Sequence, residues 1–142
     1  MSVTFRYKTI ERPEPLEPIK CPVIPLTVSA PDGNVQLEYL GLLDSGADLS
    51  VIERDVAEIL GLNLSGKKDT SRGVGGVVET IDSEIKIQFL KGHERYMFTI
   101  PVLILCDETE LGMLLLGRDG FFDKFTVTFY EKDQKFRLKR GD

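Results

Sequence analysis

The sequence contains no tryptophan, one histidine and two cysteines among its 142 residues. Cys21 and Cys106 are too few for a disulfide scaffold and do not have a metal-ligand spacing, so we expect a reducing compartment. The one histidine, His93, falls in a polar turn, which argues against a Ser-His triad and against a histidine-based zinc site. We therefore expect a protein without a metal or another cofactor.

Long apolar runs and basic stripes are also missing from the sequence. No apolar segment approaches the length of a membrane span, and residues 1–6 lack the apolar core of a signal peptide. We therefore expect a cytoplasmic protein with no membrane contact. The net charge of −5 argues against nucleic acid as the main partner. The one basic cluster, residues 135–140, alternates like a strand with a solvated face.

The hydrophobic content of 42% is sufficient for one globular domain with a core. Five prolines between residues 11 and 25 exclude a helix there and indicate an extended segment. We divide the chain accordingly into a proline-rich N-terminal arm, residues 1–20, and a single domain, residues 21–142. Two roles for the arm are open, a set of dimer strands or a propeptide-like segment.

Alternating apolar residues and turn signals predict a mostly β domain. A turn at residues 31–34 joins two strands, and a short amphipathic helix is predicted over residues 54–60, with Gly61 as its C-terminal stop. The other predicted segments are a strand over 81–89, its partner over 96–105, an interior segment over 111–116, and a terminal hairpin of 125–130 and 135–139.

Residues 42–48, Leu-Leu-Asp-Ser-Gly-Ala-Asp, are the most informative part of the sequence. The apolar run predicts a buried strand that ends at Asp44, where a reactive carboxylate would be held rigidly. Gly46 permits a tight turn, and the Ser45 hydroxyl can hold that turn. An alternative is that Asp44 only caps an ordinary turn of a monomeric β domain.

The segment Asp44-Ser45-Gly46-Ala47-Asp48 resembles the active-site motif of the aspartic proteases, and more narrowly that of their retroviral-type, retropepsin-like branch. Two further segments match that family in order. Gly73-Val74-Gly75-Gly76 resembles the flap tip, and residues 114–119, Leu-Leu-Leu-Gly-Arg-Asp, resemble the late strand and its Gly-Arg-Asp signature. The resemblance implies a closed β-barrel with one or two short helices and one lobe per chain. The extra length before the flap is closer to cellular and prokaryotic single-domain members, and Arg72 departs from the glycine common there.

The resemblance implies peptide hydrolysis by two carboxylates that share a proton, because like charges at contact distance cannot both ionise. The sequence contains a single Asp-Ser-Gly, so the second Asp44 must come from another chain. A homodimer about a two-fold axis beside Asp44 is expected, acting on a peptide or protein substrate. A non-catalytic dimeric domain that binds peptides or serves as a scaffold is the alternative.

The resemblance also implies roles for the other motif residues. Ser45 would form a hydrogen bond across the two-fold axis, and Gly46 would let the substrate backbone approach. Asp48 would either contact the substrate backbone or, as the favoured alternative, form a partly buried ion pair with Arg118 that ties the active-site loop to the late helix. Asp119 would lie at the start of that helix, near the positive end of its dipole. Ala47 completes the loop.

Overall fold

A computed structural model describes residues 2–73 and 76–141. In these residues the chain forms twelve strands, one α-helix and one 3₁₀ helix, Phe122–Lys124. The elements in chain order are β1 (Ser2–Arg6), β2 (Lys8–Ile10), β3 (Ile19–Cys21), β4 (Val23–Ser29), β5 (Gln36–Leu43), β6 (Ser50–Ile52), α1 (Arg54–Leu60), β7 (Lys68–Gly73), β8 (Gly76–Lys91), β9 (Glu94–Leu105), β10 (Leu114–Leu116), β11 (Phe125–Tyr130) and β12 (Lys135–Arg140).

Six strands form a closed barrel in the order β4-β5-β10-β6-β9-β8, and β7 extends the sheet beside β8. The barrel closes where β4 pairs with β8, from Thr27 opposite Gln88 to Ser29 opposite Lys86. The predicted mostly β, retropepsin-like barrel with one lobe per chain is therefore confirmed.

The interior strand β10 determines how the centre of the barrel is arranged. It runs parallel to β5, with Leu116 opposite Leu43, and antiparallel to β6 on its other side. Leu114 and Leu116 are completely buried, whereas Gly112 is exposed and Leu111 and Met113 are half-buried. The interior segment predicted over 111–116 is therefore interior only over β10. Because β5 and β10 are parallel neighbours, the residues that follow them, Asp44 and Gly117, lie at the same end of the barrel.

The two ends of the chain meet in a separate three-stranded sheet of order β1-β12-β11. Phe5 of β1 stacks on Phe136 of β12, with ring centroids 5.2 Å apart, and its edge contacts Phe89 of the barrel at 6.1 Å. Residues 2–6 therefore pack on the core of their own chain. The prolines of residues 13–18 lie in the loop between β2 and β3, which pair with each other. The boundary proposed at residue 20 stays a prediction.

Helix α1 has the bounds that its sequence pattern predicts. Val56, Ala57 and Leu60 are its buried residues, and they recur at the spacing of one helical face. Gly61 ends the helix in the left-handed conformation at φ 78°, and its N–H donates to the Glu58 carbonyl at 3.0 Å. The helices of the described residues are too short or too polar to cross a membrane.

Candidate active site

Asp44 is the first residue after β5, and its side chain is half-buried. Its N–H donates to the Leu116 carbonyl at 3.0 Å, which continues the β5–β10 pairing by one more bond. The Asp44 carbonyl accepts from the Ala47 N–H at 3.1 Å, and its Oδ1 accepts from the Gly46 N–H at 3.1 Å. The carboxylate therefore projects from a rigid strand end and is oriented by the backbone of its own turn.

The turn itself is open to solvent in the single chain. Ser45 and Gly46 are exposed, and Ala47 is half-buried. A Cβ on Gly46 would lie 3.4 Å from Asp44 Oδ1, in ordinary contact. The turn thus leaves the Asp44 carboxylate and the Ser45 hydroxyl accessible to whatever approaches this end of the barrel.

The active-site loop is bound to the segment after β10 by three successive backbone contacts. The Arg118 N–H donates to the Ala47 carbonyl at 2.9 Å, and the Asp119 N–H donates to the Asp48 carbonyl at 2.8 Å. Leu49 and Asp119 then form a parallel β-bridge. The structure therefore brings the two predicted motifs together, residue against residue.

The predicted side-chain pair between Asp48 and Arg118 is present, with Arg118 Nη2 donating to Asp48 Oδ1. The expectation that the pair is partly buried is wrong for the single chain, because the side chains are 84% and 58% exposed. Both project outward from the loop contacts that hold their backbones. An exposed pair contributes little to stability, since water screens it.

Asp119 does not begin the late helix directly. It lies three residues before the 3₁₀ helix and is held through its backbone by Asp48 and Leu49. The carboxylate that organises this turn belongs to Asp123, whose Oδ2 accepts from the Gly120 N–H at 3.0 Å. The late segment therefore begins with a turn, which is followed by a single turn of 3₁₀ helix.

The predicted flap falls on the hairpin of β7 and β8. Gly73 and Gly76 are paired at its end, and Gly76 adopts φ 114°, a conformation that favours glycine. Val74 and Gly75, predicted at the tip, lie outside the described residues. Val77 is 59% exposed, so apolar surface is present next to the tip. The assignment of this hairpin as a flap stays a prediction.

Sequence reasoning missed Ser50 and Glu53, two residues that shape the site. Ser50 is completely buried, and its Oγ accepts from the Gly117 N–H at 3.0 Å. Glu53 Oε2 accepts from the N–H groups of Leu111 and Gly112, at 2.6 and 3.1 Å, and so holds the loop that leads into β10. For Ser50, the available signal was its position as a serine on the buried side of the short apolar run 49–52.

The described residues contain no group of three or more His, Cys, Asp or Glu side chains placed to hold a metal ion. Three cavities of the described residues are lined by other parts of the chain, in the barrel and in the β1-β12-β11 sheet, and not by the loop 44–48. The candidate site in the single chain is thus an exposed carboxylate-bearing turn at the end of a barrel, with no enclosing wall formed by the described residues.

A barrel that presents Asp-Ser-Gly at a strand end, braced by a late Gly-Arg-Asp segment, has the arrangement of a retropepsin-like protein. Residues 25–119 match the aspartyl protease family, which is more than half of the chain. The chain belongs to that family, as its motifs suggested. No curated protein matches the sequence.

Two solved structures with TM-scores of at least 0.50 share the fold. A retropepsin-like aspartic protease from Rickettsia conorii has a TM-score of 0.58 and 15% identity, covering 97% of this chain and 98% of that chain. The retroviral protease-like domain of Ddi1 from Leishmania major has a TM-score of 0.50 and 16% identity, covering 86% and 94%. The EIAV protease complexed with the inhibitor HBY-793 is 25% identical, with a TM-score of 0.45 and coverage of 70% and 83%.

Proposed function

We propose that the chain is a homodimeric aspartic endopeptidase, with Asp44 of two copies forming the catalytic pair. The observation that carries the proposal is the setting of Asp44 in a member of the aspartyl protease family. Its half-buried carboxylate stands at the end of a barrel strand and is held by the Gly46 N–H at 3.1 Å. Rigid placement of this kind favours catalysis, because a reacting group that is already oriented loses little freedom in the transition state.

A dimer is required by the number of carboxylates. The sequence has one Asp-Ser-Gly, and the turn that carries it is exposed in the single chain. A two-fold axis beside Asp44 would bring the two carboxylates together and cover the exposed turns in one step. In that arrangement, Ser45 of each copy would form a hydrogen bond across the axis.

The chemistry then follows from one proton shared by two Asp44 carboxylates. The ionised carboxylate takes a proton from water as the water oxygen bonds to the peptide carbonyl carbon. The protonated one donates a hydrogen bond, and then its proton, to the carbonyl oxygen. The C–N bond of this tetrahedral intermediate breaks as its nitrogen gains a proton from the pair. One hydroxyl of the intermediate returns its proton to the pair, which leaves an acid and an amine and restores the shared proton.

The other predicted residues would support this reaction. Gly46 leaves room for a substrate backbone beside the pair. The predicted flap, Gly73-Val74-Gly75-Gly76, would close over the bound peptide. Arg118 and Asp119 would fix the loop position through the backbone contacts already described. The free thiols of Cys21 and Cys106 agree with a reducing location such as the cytoplasm.

A degenerate peptide library, incubated between about pH 3 and pH 8, tests the catalytic proposal. Asp44→Asn should abolish cleavage and leave the fold intact, because Asn keeps the shape but cannot transfer the proton. Asp82→Asn is the matched control, since Asp82 also precedes a serine but is an exposed residue of β8. A folded Asp44→Asn protein that still cleaves peptides would refute the mechanism. A wild-type protein that binds library peptides without cleaving them would favour the non-catalytic alternative.

Mixing experiments test the dimer separately. Excess Asp44→Asn protein added to the wild type should inhibit it, because mixed dimers contain one catalytic carboxylate. Excess Asp82→Asn protein should add activity instead. Specific activity should also fall on dilution, as dimers dissociate by mass action. A monomer in sedimentation that keeps full specific activity would exclude the shared site.

A further inference from the structure

A cavity of about 520 Å³ lies along β1, and its lining includes no residue of the active-site loop 44–48. We call it the basic groove. Its lining residues are Thr4, Phe5, Arg6, Tyr7, Lys8, Pro25, Leu90, Lys91 and Lys135. The volume is within the range of about 300–1,000 Å³ that is typical of ligand sites.

The lining of the basic groove is strongly cationic. Arg6, Lys8, Lys91 and Lys135 contribute four positive charges, and none of the lining residues is acidic. This concentration is notable in a chain with a net charge of −5. The ion pairs of the described residues involve other cations, namely Arg54, Arg118 and Lys124. Lys91 and Lys135 each lie over an aromatic ring, and none of the four groove cations belongs to an ion pair of the described residues.

The groove also presents the free backbone edge of β1. Within the described residues, β1 pairs with β12 on one side and with no strand on the other. The Tyr7 N–H donates to Gln134 across the β12 side at 2.9 Å. Because N–H and C=O groups alternate between the two sides of an antiparallel strand, those of Thr4 and Arg6 face the groove. An extended peptide can pair with such an edge.

The barrel wall opposite β1 leaves room for such a peptide. Strands β4 and β8 pair only from Thr27 to Ser29, so they are not paired at Pro25 and Leu90. Pro25 has no N–H to continue the pairing, and Leu90 is 65% exposed. The same two residues line a second cavity of about 560 Å³ that extends along β4 and β5. The two cavities thus adjoin at Pro25 and Leu90.

We propose that the basic groove binds an extended acidic segment of another protein, as an added strand beside β1. The edge of β1 offers both donors and acceptors, which a peptide backbone satisfies and a small inorganic anion does not. A second copy of this chain is disfavoured, since pairing two β1 edges would place two cationic grooves against each other. The segment would bind outside the active site, so the proposal does not depend on catalysis.

Fluorescence anisotropy with the full-length Asp44→Asn protein tests this inference. The probe is a labelled peptide of alternating Glu and Val with blocked ends. It should bind, and more weakly as salt is raised above about 0.1 M. The same peptide with Gln in place of Glu should bind about tenfold more weakly. Two further peptides carry backbone N-methyl groups, one at its Glu positions and the other at its Val positions. One of these two peptides should bind more weakly, because it has lost the N–H groups that donate to β1.

Charge variants locate the site. Lys8→Gln with Lys91→Gln should weaken binding of the acidic peptide about tenfold. The matched control is Lys67→Gln with Lys68→Gln, two exposed lysines outside the groove, which should change it less than about twofold. Lys91 Nζ lies 5.2 Å from the Phe5 ring centroid, so Lys8→Gln alone serves if the double variant melts early.

Four results would overturn the proposal. They are no binding of the acidic peptide, equal binding of the Gln peptide, equal effects of the two lysine pairs, and tighter binding of a single-stranded oligonucleotide than of the peptide. Sedimentation of the Lys8→Gln protein adds a further check, because a changed dimer equilibrium would assign the groove to a second copy.

Discussion

The N–H of Gly117 donates to the Oγ of Ser50 at 3.0 Å, and Ser50 is completely buried. This bond joins the end of β10 to the start of β6, on either side of the loop that carries Asp44. The two backbones approach so closely that a Cβ on Gly117 would lie 2.4 Å from the Leu49 carbonyl carbon and 2.5 Å from its oxygen. The position of the active-site loop therefore depends on a glycine in the late motif.

Gly117→Ala should destabilise the fold by about 3 kcal/mol, because the clash is with backbone that cannot move without breaking the loop contacts. Urea denaturation measures the loss. Gly141→Ala is the control, since a Cβ there meets nothing within 4 Å, and its unfolding free energy should stay within about 0.5 kcal/mol of the wild type. Similar stabilities for the two variants would contradict the close packing of Gly117 on Leu49.

Arg118→Ala should cost only about 0.2–1 kcal/mol in the isolated chain, because its pair with Asp48 is exposed. A double-mutant cycle with Asp48→Ala, followed by thermal melts, measures the coupling. The cycle should be repeated at concentrations where the protein is dimeric. A coupling energy between Asp48 and Arg118 that is larger in the dimer than in the monomer would indicate that a second copy covers the pair. A coupling of several kcal/mol in the monomer would contradict the exposed geometry.

The sequence predicted what local patterns encode. Helix α1 follows from one apolar face and Gly61, and the turn at Asp44 follows from an apolar run that meets Ser-Gly. The burial of Asp48 was predicted wrongly, because a sequence gives the neighbours along the chain but not whether other parts of the fold cover a loop. The Ser50–Gly117 bond and the pairing of β1 with β12 depend on long-range register, for which single residues carry no local signal.

Tyr7 should make stability depend on alkaline pH. Burial, then its hydrogen bond to Glu131 at 3.0 Å, raises the pKa of Tyr7 to about 12 from an ordinary value of 10.0. The folded state therefore holds this proton more tightly than the unfolded state does. Its contribution is complete below about pH 10 and is lost as pH rises through about 12. Burial also raises the pKa of Tyr39 and of Tyr96, so other groups act in the same direction.

Tyr7→Phe isolates the contribution of Tyr7 to the loss of stability at alkaline pH. The variant should lose about 1 kcal/mol at neutral pH with the hydrogen bond to Glu131, and its stability should fall less steeply above about pH 10. Urea midpoints on both sides of that pH measure the difference. Tyr130→Phe, the same change on a half-buried surface ring, is the reference. Parallel pH curves for Tyr7→Phe and the wild type would show that Tyr7 makes no alkaline contribution.

Gly76→Ala tests the flap. Gly76 adopts φ 114°, and a Cβ there meets nothing within 4 Å, so the substitution strains the backbone by about 1–2 kcal/mol without a clash. If the hairpin closes over the substrate, this strain should lower kcat/KM for a library peptide. Gly92→Ala is the matched control, because Gly92 has φ 62° and equally open surroundings in the turn between β8 and β9. It should lose no more stability than Gly76→Ala, because φ 62° lies in the left-handed region that alanine can adopt, and it should keep its turnover. Urea denaturation of both variants is measured beside turnover, so that a loss of folded protein is separated from an effect on the flap. Equal turnover in the two proteins would remove the flap assignment.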